Sequence, residues 1–199
     1  VKELGRKLTE GLKRCIEYGL IKRSANGLET SKLGYVAAVK GISVDTARPL
    51  INWLRAVKTR SPREIEILYV AARTKNAKDY FINMATREQY ECGYHTKINM
   101  LFDQCAKAMF SKVIDDPLER SYDAIKEMKV ALVMHDWIQG VPVGEIEQKY
   151  NVTSGTVERV SGGISWIVDA IAGLAGVIDV DALQVKQYEK ISRRLLFGV

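Results

Sequence analysis

Cysteine is scarce in this chain and odd in number: Cys15, Cys92 and Cys105, with no CxxC pair. That count argues against a disulfide framework and a four-cysteine zinc site, and it fits a reducing, cytoplasmic setting. Histidine is rarer still, with His95 and His135 alone. Cys92 and His95 have a CxxH spacing, and Cys105 and His135 are the other potential ligands, but nothing in the pattern draws the four together, so no metal is expected. His135-Asp136 is an adjacent pair, and neighbours on a helix do not face each other, which favours capping or a surface hydrogen bond over acid–base chemistry. The chain also lacks a GxxxxGK[ST] phosphate loop, a nucleophile elbow and a paired-carboxylate motif. Catalysis and nucleotide binding by these residues are therefore not expected. No uninterrupted apolar run of membrane-spanning length and no signal-peptide pattern is present, so no membrane partner is expected either.

What is present is a chain of 199 residues, 47% of them hydrophobic, enough for one large or two small packed domains. Thirty Lys and Arg against 24 Asp and Glu leave a formal charge of +6, which favours an anionic partner. The two signs are interspersed and no long basic run occurs, so nucleic acid is permitted by composition and not demanded by it. Val1 in place of an initiator methionine, and the abrupt end at Phe197-Gly198-Val199, read as a piece of a longer protein.

The pattern predicts a helix over residues 2–18, on which Leu4, Leu8, Leu12, Cys15 and Ile16 have helical spacing, stopped by Gly19. Residues 20–23 and 28–30 flank Asn26-Gly27, the dipeptide preferred in tight two-residue turns, and predict a hairpin. Helices follow over 31–39 and from 43 or 45 to 57, with Gly41 as the break and Ser43 as a cap. Helix, hairpin and further helices make a winged helix, yet no helix there shows the Arg, Lys, Asn and Gln face that base readout needs. Arg14, Lys22, Arg23 and Lys32 either touch phosphates or form a solvated wing. Ser61-Pro62 marks a domain boundary, giving a winged-helix domain over 1–58 and a helical bundle over 62–199. Within the bundle, helices are expected over 62–72, 77–85, 97–110, 121–139, 143–150 and 181–196, with Asp115-Asp116-Pro117 as a connection. The expected fold is thus mainly α with one small β-hairpin.

The stretch 151–178 organises the rest. Val157, Val160, Ile164, Ile167, Ile171, Leu174 and Ile178 form one apolar stripe at about 100° per residue. Arg159 and Trp166 lie off it, seven residues apart and so projecting the same way, with Gly162, Gly163, Ala170 and Gly173 around them. A glycine inside a helix costs roughly 1 kcal/mol against alanine, so these positions need a close neighbour. A smooth strip with one guanidinium and one indole suits a single-stranded nucleic acid, the arginine holding a phosphate and the indole stacking on a base. The other account is that the small residues admit a neighbouring helix and Trp166 sits at the edge of the core.

Three pieces taken together resemble the C-terminal accessory region of Ski-like superfamily 2 helicases, closest to the archaeal fork-repair DNA helicases related to the helicase part of polymerase theta. They are LIKRSANGLETSKLGYVAAVKGISVDTA, then KVALVMHDWIQGVPVGEIEQKYNVTSGTVERVSGGISWIVDAI, and SRRLLFGV at the end. In the second piece the WI, the EIEQKY and the spacing from Arg159 to Trp166 match the family's ratchet domain, and the third looks like the start of a following helix-loop-helix domain. The resemblance implies that Arg159 and Trp166 contact the translocating strand. It also implies RecA-like motor domains elsewhere that use ATP and Mg, with a role in guiding single-stranded DNA during replication-fork repair. Gly162-Gly163 depart from the family's usual helix formers, which puts the straightness of this helix in question. Other readings stay open: an RNA helicase of the same family, a helical protein-interaction module, or a winged-helix transcription regulator.

Overall fold

The computed structural model of the chain describes residues 2–25, 27–85 and 122–198. These are mainly helical with one antiparallel hairpin, as the pattern predicts. Helix α1 (Lys2–Glu17) has Glu3 in its first turn and Arg14 in its last, each of the sign that suits that end of the helix dipole. It stops where Gly19 takes φ +71° and the Leu20 amide donates to the Cys15 carbonyl at 2.9 Å. Its apolar stripe begins in solvent: Leu4 and Leu8 are 64% and 66% exposed, and only around Cys15 and Tyr18 does the packed interior begin.

Strands β1 (Ile21–Ser24) and β2 (Gly27–Thr30) pair with Ile21 opposite Thr30 and Ser24 opposite Gly27. Gly27 is thus already paired in the ladder, where the sequence places it in the turn. It opens β2 at φ +122°, a conformation that side-chain-bearing residues reach only with strain. Ser31 joins this wing to α2 (Lys32–Val39): its hydroxyl accepts from the Gly34 amide at 3.0 Å and donates to the Gly19 carbonyl at 2.7 Å. Ser43 caps α3 (Val44–Val57) by accepting from the Thr46 amide at 3.3 Å.

Helix α4 (Glu64–Ala72) begins two residues later than the helix expected over 62–72, because Arg63 is still extended at φ −72°, ψ 154°. The connection between α3 and α4, where the sequence suggests a domain boundary, is tied into the bundle. The Arg60 carbonyl accepts from Gln184 at 2.7 Å and the Pro62 carbonyl from Gln187 at 3.3 Å. One hydrophobic core runs across this connection, with the Trp53 and Tyr188 rings 6.1 Å apart between centroids.

The helix expected over 77–85 is replaced by a 3₁₀ helix (Lys75–Tyr80), after which Phe81 is extended at φ −75°, ψ 158° and residues 82–85 belong to no helix or strand. Burial there alternates: Ile82 and Met84 are buried, whereas Phe81, Asn83 and Ala85 are exposed. The physical reason is that side chains take this segment's carbonyls. Arg159 holds those of Asp79 and Phe81, and Lys129, fully buried, holds that of Asn83 at 2.9 Å. The helix expected over 97–110, the 115–117 connection, and Cys92, His95 and Cys105 lie outside the described residues.

Four more helices complete the described bundle: α5 (Tyr122–Ile138), α6 (Val143–Tyr150), α7 (Ser154–Val177) and α8 (Ala182–Phe197). Thr153 caps α7, and Glu147 of α6 adds a carboxylate oxygen 2.6 Å from the Ser154 amide, a charge well placed at a helix N-terminus. Helix α7 is the axis, touched by α2, α3, α4, the 3₁₀ helix, α5, α6 and α8. Its tightest partner is α8, where Ser165 and Ser192 each donate to the other's backbone carbonyl, at 2.8 and 3.0 Å. By length and composition α7 could cross a membrane, but most of its apolar window is buried inside the protein, as in a core helix. It runs unbroken through Gly162-Gly163.

Candidate nucleic-acid interface

Along α7 the apolar stripe is fully enclosed, and Val157, Val160, Ile164, Ile167, Ile171 and Leu174 have no exposed surface. One line of the helix stays open or half-open: Gly155, Glu158, Arg159, Gly162, Trp166, Asp169, Gly173 and Gly176. Arg159 and Trp166 thus share a strip two turns apart, about 10 Å along the axis at 1.5 Å per residue.

Arg159 is exposed, and its two terminal nitrogens donate to the carbonyls of Asp79 and Phe81 at 3.0 and 3.1 Å. A guanidinium has five N–H donors in a planar fork, so this contact orients the group and uses two of them. Trp166 is half-buried. Its indole N–H donates to the carbonyl of Lys40, just past α2, at 2.6 Å, and the Lys40 ammonium reaches Asp169 one turn along, also at 2.6 Å. Lys40 therefore clasps α7 at two points and fixes the hairpin-bearing segment against it.

The two glycines part company. A Cβ at Gly163 would stand 2.3 Å from the Tyr80 ring, so this glycine exists for close approach by an aromatic side chain and not by a second backbone. A Cβ on Gly162 would meet nothing within 4 Å, leaving a smooth surface between Arg159 and Trp166.

The other residues singled out in the sequence serve as scaffold. Asp136 bonds with Lys149 at 2.6 Å and the Tyr150 hydroxyl at 2.9 Å, both from α6, rather than with His135. Burial first, and then the hydrogen bond to Asp136 and its charge, raise the Tyr150 hydroxyl above the usual tyrosine range. Trp137 donates to the Leu195 carbonyl at 2.8 Å, and Arg194 reaches Glu64 and the Ile138 carbonyl, each at 2.5 Å. Sequence reasoning missed Lys40, Tyr80 and Phe81, whose importance arises from contacts with α7 far along the chain. The run Phe81-Ile82-Asn83-Met84 does not alternate apolar with polar, since Phe81 and Ile82 are both apolar, so its in–out burial had no clear signal in the sequence.

A bundle is wrapped round one long helix, the hairpin-bearing segment is clasped to it through Lys40, and one strip of that helix is left open. The chain matches the family described as archaeal helicase, domain 4, over residues 65–198, and it belongs to that family. It is similar to the ATP-dependent DNA helicase Hel308 of Pyrococcus abyssi, 26% identical over 101 residues, which are 51% of this chain and 14% of that protein. It is also similar to the ATP-dependent DNA helicase Hel308 of Caldivirga maquilingensis, 21% identical over 194 residues, 98% of this chain and 25% of that protein. The chain thus spans a quarter or less of the length of these two relatives. The resemblance to Ski-like superfamily 2 helicases stands on these findings, and they make the chain a helicase accessory region.

Proposed function

We propose that this chain guides single-stranded DNA for an ATP-dependent helicase, the strand running along the open strip of α7. The observation that carries the reading is the pre-oriented, exposed guanidinium of Arg159, which shares that strip with Trp166 across the smooth surface of Gly162. Arg159 takes a phosphate, and the half-exposed indole of Trp166 takes a base. The residues present do not fit a nucleotide, since no phosphate loop occurs in the sequence. ATP and Mg belong to motor domains of the kind that the relatives' names imply, and those motor domains are the partner of this region. Its setting is the cytoplasm, and its use is unwinding in replication-fork repair.

Fluorescence anisotropy with a labelled oligodeoxynucleotide tests this. Trp166→Ala should weaken binding about tenfold or more, in line with the roughly 1–3 kcal/mol of a stacked base. Arg159→Ala should weaken binding and reduce the magnitude of the log K against log salt slope by about 1.

The same contacts support a second reading, because each residue also joins parts of the fold: Trp166 to Lys40, and Arg159 to the 79–81 segment. In that reading both are structural. Trp166→Ala then lowers stability, and Arg159→Ala leaves binding unchanged.

A further inference from the structure

We infer that Phe81 is a second base-stacking platform, extending the strip beyond Arg159; this rests on the strand-guiding reading above. The Phe81 ring is 49% exposed just past the 3₁₀ helix, where burial of Ile82 and Met84 turns it outward. Its own backbone carbonyl is held by Arg159 at 3.1 Å, which ties this residue's main chain to the guanidinium. A large apolar ring left in solvent beside a cation is what a stacked base needs: a π-face with a positive charge near it.

The surroundings fit a base more closely than a peptide side chain or a lone phosphate. The Lys126 ammonium lies 5.9 Å from the Phe81 ring centroid, near enough to polarise it. Phe81 borders a cleft of about 230 Å³, with Ala77 and Val130 buried beneath it and Lys78 and Lys126 among its walls. Asp123 and Glu127 line it too, and Glu127 pairs with Arg73 at 3.3 Å. Cations and carboxyl groups are thus mixed in the cleft, which suits an uncharged base with cations at hand to meet the backbone. Indole, smooth glycine and guanidinium follow in order along α7, and the Phe81 backbone joins the guanidinium end, which would give two stacking surfaces with a phosphate contact between them.

The test uses the 199-residue chain and a labelled oligothymidylate. Phe81→Leu, which keeps the apolar bulk but removes the π-face, should weaken binding about tenfold, and Phe81→Tyr should stay within about twofold of the parent. Circular dichroism checks that the variants are folded. On the unmodified chain, an oligonucleotide carrying 5-iodouracil, photocrosslinked and mapped by mass spectrometry, should attach at Phe81 as well as Trp166. Unchanged binding by Phe81→Leu while Trp166→Ala weakens it, or a crosslink at Trp166 without one at Phe81, overturns the second platform and leaves the strand-guiding reading intact. Equal losses from Phe81→Leu and Phe81→Tyr also overturn it, since they would reflect the shape of the segment. Absence of any effect at Trp166, Arg159 and Phe81 overturns both.

Discussion

The indole of Trp166 and the backbone carbonyl of Lys40, 126 positions apart, meet in a hydrogen bond of 2.6 Å that pins the hairpin-bearing segment to the long helix. Trp166→Phe keeps a ring in place but strands that carbonyl. The expected result is a loss of about 0.5–1.5 kcal/mol in chemical denaturation, the net contribution of one hydrogen bond in a half-buried setting. Single-strand binding should fall less than for Trp166→Ala, because the phenyl ring still offers a stacking surface. Equal binding losses for the two variants would place the whole effect in the clasp.

Adjacent glycines on α7 should respond oppositely to alanine. Gly162→Ala adds a methyl to open space and removes a helix-weakening glycine, for a gain of up to about 1 kcal/mol. Gly163→Ala drives a methyl to 2.3 Å from the Tyr80 ring, and overpacking of this kind costs about 1–3 kcal/mol even after the propensity gain. Urea denaturation of the two variants side by side measures the difference, and matched behaviour would mean that Tyr80 can move aside freely.

Glu66 is a buried carboxylate held by three donors: the Trp53 indole at 3.2 Å and the Arg60 guanidinium at 2.8 and 2.5 Å. Arg60→Ala leaves that charge without its cation, and a broken buried pair typically costs about 3–5 kcal/mol. Arg60→Ala combined with Glu66→Gln should recover part of the loss, because the uncompensated charge is gone. A thermal melt of the single and double variants decides, and no recovery would show that Arg60 acts mainly through packing.

Glu127 provides a pH handle. Burial pushes its carboxyl up from 4.5 to about 7; Arg73 opposes this most, Asp123 adds to it, and Lys78 opposes weakly. Between these values the folded chain holds a proton that the unfolded chain has released. This group's contribution to stability is therefore present in full below about 4.5 and is lost as pH rises through 7, with a slope of about 1.4 kcal/mol per pH unit at most. Glu127→Gln cannot titrate, so the difference in stability between variant and parent should change with pH across that window. A pH-independent difference would mean that Glu127 keeps its charge in its pair with Arg73.

Where order is local, the sequence is a good guide. Gly19 and Gly41 mark helix ends with φ of +71° and +69°, Ser31, Ser43 and Thr153 cap α2, α3 and α7, and the enclosed stripe of α7 follows its 3.6-residue period. These features depend on backbone sterics and on hydrogen bonds spanning three or four residues, so the chain determines them wherever it goes. Tertiary structure decided the rest. Residues 81–85 are not helical because Arg159 and Lys129, from helices distant in sequence, take carbonyls that a helix would have used itself. The stripe of α1, spaced like any core helix, begins in solvent because periodicity says which residues share a face and not what that face meets. Gly162 and Gly163 are identical in type and adjacent in sequence; only the Tyr80 ring, 83 positions from Gly163, separates a packing glycine from an open one.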